Sequence, residues 1–273
     1  MGKVSRRLGS KIAPIRDLLQ ERDNLHTDKG VLQLEKGQLE AEIRDLTQTI
    51  ENPRNFIAHH FIRGKGIEIG AAQLPVRMPP GASVKYVDVL SADALRKAWP
   101  VDYMKLDIVD VDVIDDAEKL DKFKDASLDF IIANHFVEHC IDPIGTVMNM
   151  YSKLRSNGVL FFAIPDKRYT FDKPRKLTTY EHLLEEHADT TKQKFRREHT
   201  EDFLLLGDKY KGDIKKRAQE ILDSGYRIHY HVWTQREITE MFINIAQQFK
   251  LALEIQALLK NQHEVIYILR KGA

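Results

Sequence analysis

The run Gly66-Ile67-Glu68-Ile69-Gly70-Ala71-Ala72 restricts this chain more than any other stretch. An apolar strand pattern that ends beside an acid and enters small residues lets the backbone approach a ligand closely. Open parallel α/β sheets use such turns at nucleoside-type cofactors. A second strand pattern, Val84-Lys85-Tyr86-Val87-Asp88, ends on a carboxylate 18 residues after Gly70. A carboxylate at that place can accept hydrogen bonds from a pair of ribose hydroxyls. Each signal is weak alone, and their order and spacing give them weight.

Strand patterns at 66–70, 84–88, 109–114, 128–133, 159–164, 251–258 and 264–270 alternate with helices near 91–98, 143–154 and 235–249. Asp142-Pro143 reads as a helix cap followed by a first-turn proline. Thr234-Gln235-Arg236-Glu237 reads as a capping box. The alternation predicts an α/β fold with a doubly wound, mostly parallel, seven-stranded sheet. Only Lys260-Asn261-Gln262-His263 joins the last two strands. They must therefore form a terminal antiparallel hairpin, since a parallel return needs about a dozen residues or more. The 13 residues between Gly70 and Val84 include Pro75, Pro79, Pro80 and Gly81, so the first crossover is expected to be a loop or a single helical turn.

Residues 1–54 differ in kind. Leu18, Leu25, Leu32, Leu39 and Leu46 recur every seven residues, with Ile15, Ile43 and Ile50 completing a heptad seam. Pro14 suits a helix start and Pro53 a helix stop. Arg22, Lys29 and Lys36 interrupt the apolar seam, and Gly30 and Gly37 each cost the helix about 1 kcal/mol. Two outcomes are open: a coiled-coil homodimer through residues 15–50, or one amphipathic helix packed on its own domain. Residues 55–273 then form the main domain, interrupted at 166–233 by a segment rich in His, Arg, Lys and acids. Helical stretches are expected there near 179–188 and 209–223. The insertion follows the fifth strand, at the sheet edge where ligands bind in such folds, and is expected to recognise an acceptor.

Composition narrows the function classes. A net charge of +1 gives no electrostatic case for nucleic acid. The longest apolar runs, such as 159–165, are strand-sized and far short of the ~20 residues of a membrane span. Met1–Arg7 is basic, but no apolar leader segment follows it. Cys140 is the only cysteine, so no internal disulfide forms, and the expected location is the cytoplasm.

The ordered set Glu68-Ile69-Gly70-Ala71-Ala72, Asp88, Asp116-Ala117-Glu118 and Leu128–His139 resembles the class I S-adenosylmethionine-dependent methyltransferases. Helix 143–154 leads through Leu154-Arg155-Ser156-Asn157-Gly158 into strand 159–164, as in that family. The runs Ala163–Asp172 and His229–Thr234 look like a bacterial subgroup associated with polysaccharide and sugar modification. The resemblance covers roughly residues 60–165 and the closing hairpin. It implies a Rossmann-like fold, S-adenosyl-L-methionine as cofactor, and O-methylation of a sugar or glycan precursor. By the same resemblance Glu68 and Gly70 shape the loop under the methionine moiety, and Ala72 stands where a second glycine is usual. Asp88 takes the ribose, Asp116 the adenine amino group with Ala117 beside the ring, and Asn134 and His135 line the sulfonium side. Asp115 is the alternative to Asp116.

Transfer to a hydroxyl also needs a proton acceptor, a task that suits imidazole near neutral pH. His135, His139, His182, His229 and His231 qualify by type, with Asp166 at the fifth strand's mouth as orienter or base. The expected catalytic set is His231, Asp166 and His135. Arg168, Arg175, Lys167 and Lys173 suit an acceptor phosphate or carboxylate. No Cys/His spacing reads as a zinc site, and no metal is expected; an ion held by Asp166 and a neighbouring His is not required. A nicotinamide dehydrogenase is disfavoured, because Gly-x-Gly-x-x-Gly is missing before a helix. The alternative from another class is a coiled-coil scaffold whose methyltransferase-like domain binds cofactor without catalysis.

Overall fold

The computed structural model describes residues 2–98 and 107–273, in two compact units, Met1–Asn52 and Pro53–Ala273. The first unit is one helix, α1 (Gly2–Glu51), which runs through Pro14 rather than starting at it. Leu32, Leu39, Ile43, Leu46 and Ile50 of the heptad seam are exposed. Ile15, Leu18 and Leu25 lie outside the residues whose side chains are described. Pro53 does not merely stop a helix. It opens a second one, α2 (Pro53–Phe61), because proline's missing N–H costs nothing in a first turn.

The second unit holds β1 (Gly64–Ile69), β2 (Ala82–Asp88), α3 (Ala92–Ala98), β3 (Val113–Ile114), β4 (Leu128–Asn134), α4 (Pro143–Lys153) and β5 (Leu154–Pro165). The insertion carries α5 (Tyr180–Ala188), α6 (Gln193–Asp202) and α7 (Ile214–Ser224), and α8 (Gln235–Gln248), β6 (Leu253–Asn261) and β7 (Glu264–Lys271) close the chain. The strands form one seven-stranded sheet in the order β3-β2-β1-β4-β5-β7-β6. All neighbours are parallel except β7, which is antiparallel to both β5 and β6. This is the expected Rossmann-like, doubly wound sheet with its terminal hairpin.

Alternation along the central strands supplies two cores. Ile131, Ala133, Leu160, Phe162 and Ile164 face α4 and α8, where Ile144, Val147, Met150, Ile238, Met241, Phe242 and Ile245 pack against them. Phe130, Ile132, Phe161 and Ala163 face the other way, onto Ala58 of α2 and the adjoining Ile62 and Val76. Burial on both faces explains why these strands read as nearly unbroken apolar runs. The first crossover agrees with the sequence pattern, and β3 departs from it. The first crossover is a loop, as its prolines require. β3 shrinks from the expected 109–114 to two residues, because the Asp112 carboxylate accepts the Tyr86 N–H at 2.8 Å, a donor that a longer ladder would use.

The insertion has a small core of its own, with Leu204, Ala218, Ile221, Ile228 and Tyr230 buried together. Its helix α6 has no counterpart in the sequence pattern, since Arg196-Arg197-Glu198-His199 offers almost no apolar periodicity. The segment closes on itself at the sheet edge. Lys167 N donates to Trp233 O at 2.8 Å, Thr178 N to Val232 O at 3.0 Å, and Tyr230 N to Glu138 O at 2.8 Å. The last of these lays residues 228–233 against the turn that follows β4.

Candidate active site

Strand order reverses between β1 and β4, and in open α/β sheets the crevice beyond the strand ends at such a reversal is where ligands sit. Gly70 has φ of +62°, and nothing lies within 4 Å of where its Cβ would be. Glu68 is buried, and both its oxygens accept the Val76 N–H at 3.1 Å. It therefore holds the loop after Gly70 from beneath, and burial pushes its carboxyl up to about 8. Ala72 adopts a positive φ of 48°, and its carbonyl accepts Val109 N–H at 3.0 Å.

Asp88 ends β2 half-buried, with one oxygen accepting Leu90 N–H at 3.2 Å; burial raises its pKa. Asp116 accepts Glu118 N–H at 3.2 Å and pairs with Lys119 at 2.9 Å. Burial opposes its ionisation, but these partners prevail and lower its pKa. Asp115 spends its two oxygens on Asp116 N–H and Lys122 N–H. Ala117 is buried in the core below them. Asn134, the last residue of β4, is half-buried, yet neither of its buried amide atoms has a hydrogen-bond partner.

His135 follows with φ of +49°, and its Nε2 lies 2.7 Å from Glu264 and its Nδ1 3.4 Å from Glu138. Burial resists its protonation, but these two carboxylates outweigh that and carry it up to about 9. Sequence reasoning missed Glu264 and its partner Arg54, which donates from Nε to Glu264 at 2.9 Å. A lone acid in a hairpin turn carries no signal of its partners.

The next turn brings three more groups together. His139 Nδ1 lies 2.9 Å from the Ile228 carbonyl, and His229 Nδ1 lies 2.7 Å from Asp172. Both acceptors can only accept, so both Nδ1 atoms carry the proton, and in the neutral rings each Nε2 keeps its lone pair. Burial lowers the pKa of His139, which keeps it neutral. Arg175, itself buried, donates to Asp172 at 2.9 Å and to the carbonyls of His229 and Tyr230 at 2.7 and 3.1 Å.

Two members of the expected catalytic set, His231 and Asp166, are sealed from solvent. His231 is fully buried, stacked on Trp233, with neither ring nitrogen hydrogen-bonded and Nε2 3.6 Å from Glu186. Burial drives it down to about 3. Asp166 is buried as well, accepting the Arg168 backbone N–H at 3.0 Å and its Nε at 2.9 Å. Of the cations expected to meet an acceptor anion, Arg168 is thus tied to Asp166, Arg175 to Asp172 and Asp202, and Lys167 to the Arg175 carbonyl. Lys173 lies exposed.

Residues 44–246 match the family model described as a methyltransferase domain. The chain belongs to that family. This methyltransferase therefore uses S-adenosylmethionine, and the scaffold reading loses ground. No curated protein matches it. Among solved structures it is similar to the CurJ carbon methyltransferase, with 13% identity over 77% of this chain and 49% of that one, at a TM-score of 0.40. It spans about half the length of that protein. A S-adenosylmethionine-dependent methyltransferase from Methanosarcina mazei is 15% identical over 79% of this chain and 97% of that one, at a TM-score of 0.43. Another, from Aquifex aeolicus, is 10% identical over 81% and 90%, at a TM-score of 0.43.

The methyltransferase's residues fit this cofactor on two observations. The unpartnered amide of Asn134 is a buried polar group of the kind that bound ligands satisfy. The open space at Gly70 is where a side chain would intrude on a close backbone approach. Among the described residues no helix is long and apolar enough to cross a membrane.

Proposed function

We propose that this methyltransferase acts on an oxygen of a sugar or glycan precursor, with the acceptor entering between the β4 turn and the insertion. The cofactor, when bound, supplies an electrophilic methyl group on a sulfonium. Gly70 and Ala72 would line the methionine end of its site, with Glu68 fixing the loop from below. Asp88 would accept the ribose hydroxyls, Asp116 or its neighbour Asp115 the adenine amine, and Asn134 the polar atoms nearest the sulfonium.

The observation that carries the oxygen reading is that His139 and His229 both tie Nδ1 to an acceptor, which leaves Nε2 as the atom that could take a proton. A hydroxyl is a poor nucleophile until its proton is drawn away, whereas a neutral amine already presents its lone pair. Two imidazoles whose Nδ1 protons are fixed on acceptors are suited to that work. Burial of His231 and the pairing of Asp166 favour positioning roles for both residues, not the base role that their type suggests. His135, held protonated between two acids, would contribute positive charge beside the cofactor rather than take a proton.

The test is transfer itself. Given methyl-labelled S-adenosylmethionine and a panel of nucleotide sugars, glycan fragments, amines and carbon acids, the protein should label sugar hydroxyls as methyl ethers. Labelling confined to amines or carbon would refute the reading.

A further inference from the structure

The carboxylate of Glu138 is the least explained polar group in the second unit. It is 1% exposed, neither oxygen has a hydrogen-bond partner, and the nearest cation is His135 Nδ1 at 3.4 Å. A buried carboxylate without hydrogen bonds is costly, and a bound cation removes that cost.

Two neighbours point to what meets it. One ligand atom each from Glu138, His139 and His229 lies within 4.8 Å of the others. The Nδ1–H of His139 is spent on a backbone carbonyl and that of His229 on Asp172, which Arg175 anchors in turn. Outer partners of this kind fix a metal-binding imidazole's tautomer and aim its bare nitrogen. We propose that Glu138, His139 and His229 bind a divalent transition-metal ion, Zn2+ being the best fit. Two imidazole nitrogens and one carboxylate leave at least one coordination position open, as at catalytic zinc and non-haem iron sites, whereas Mg2+ and Ca2+ prefer oxygen alone. Shifts of roughly 1 Å bring the three atoms to the about 2.0–2.2 Å of such bonds.

A second cluster, His182, Glu186 and His199, is the natural competitor. Its groups already meet one another at one Glu186 oxygen, which lies 3.2 Å from His182 Nε2 and also meets His199 Nε2, while the other oxygen is buried without a hydrogen-bond partner. Both of its Nε2 atoms are engaged with that carboxylate, whereas at His139 and His229 the carbonyl and the Asp172 carboxylate engage Nδ1. The ion's role rests on the oxygen reading above, since the open position would hold the acceptor hydroxyl and make it more acidic. In the metal-loaded protein the two imidazoles would be ligands and not proton acceptors, and the proton of the acidified hydroxyl would pass to solvent. Its binding rests on the side chains alone.

The experiment uses the full chain, stripped with a chelator and titrated with Co2+ without acceptor or cofactor, so a failed oxygen reading would not affect it. One equivalent should bind with visible d–d absorption, and Zn2+ should displace it. Glu138→Gln, His139→Ala and His229→Ala should each weaken uptake at least a hundredfold. Asp172→Asn should weaken it about tenfold, the scale of outer partners, and His182→Ala should leave it unchanged. Proton NMR of the Co2+-loaded parent covers variants that do not fold: it should show a shifted, exchangeable N–H signal from each of the two ligand imidazoles and no third. No uptake, full uptake by His229→Ala, uptake lost only in His182→Ala, or a third imidazole signal would each overturn the proposal.

Discussion

Glu264, the first residue of β7, lies 2.7 Å from Nε2 of His135, the residue that leaves β4. The closing hairpin thereby reaches across β5 to the sheet's central reversal. Arg54 and Asn261 complete the cage, Asn261 donating to the same carboxylate at 2.7 Å. The group is 1% exposed, and its neighbours outweigh the burial that would otherwise raise its pKa, holding it down to about 2.

That cage should be worth more than a surface ion pair. Glu264→Gln removes the charge and leaves Arg54 and His135 facing a neutral amide. Taking one partner from a buried pair costs about 3 kcal/mol. Urea unfolding at neutral pH should show a midpoint shift of that size, and an unchanged midpoint would mean that solvent replaces the lost pairing.

Glu68 gives a pH dependence of defined sign. Its folded pKa of about 8 lies above the ordinary 4.5, so the folded state keeps a proton that the unfolded chain releases. The stability tied to that proton is fully present below about 4.5 and is lost as pH rises through about 8. In Glu68→Gln, which cannot ionise, unfolding free energy should fall less between pH 5 and 8 than in the parent, by roughly 1 kcal/mol or more. Parallel profiles for the two proteins would remove the raised pKa from the account.

At the proposed ribose contact, Asp88→Ala should weaken S-adenosylmethionine binding by about 1.5–3 kcal/mol, the scale of hydrogen bonds to a charged group. Calorimetry reads this directly. Parent-like affinity in the variant would move the ribose elsewhere.

The heptad seam makes a prediction about assembly. Leu32, Leu39, Ile43 and Leu46 are exposed along α1, the pattern expected of a helix awaiting a partner helix. Deleting residues 1–52, the whole first unit, should turn a dimer into a monomer by light scattering while the second unit folds. An undiminished association state would assign any dimer to another surface.

Local chemistry accounts for what was legible in the sequence. Apolar runs buried on both faces mark β4 and β5 whatever surrounds them, and a four-residue link can join only an antiparallel pair. Prolines between Gly70 and Val84 forbid a first helix, and caps at Asp142 and Thr234 start α4 and α8 where they were read. The candidate site was legible only as a set of residue types near strand ends. The sequence offers five histidines of suitable type and puts His231 and His135 first, but it cannot say which nitrogen is tied or which ring is sealed from solvent. Those distinctions arise from contacts between segments far apart in the chain: residue 139 with 228, 229 with 172, and 135 with 264. Hydrogen-bond partners and burial decide a titratable group's role, and both are products of tertiary packing. Packing left His231 buried and His139 and His229 with bare nitrogens, a difference that His229-Tyr230-His231 does not carry in its letters.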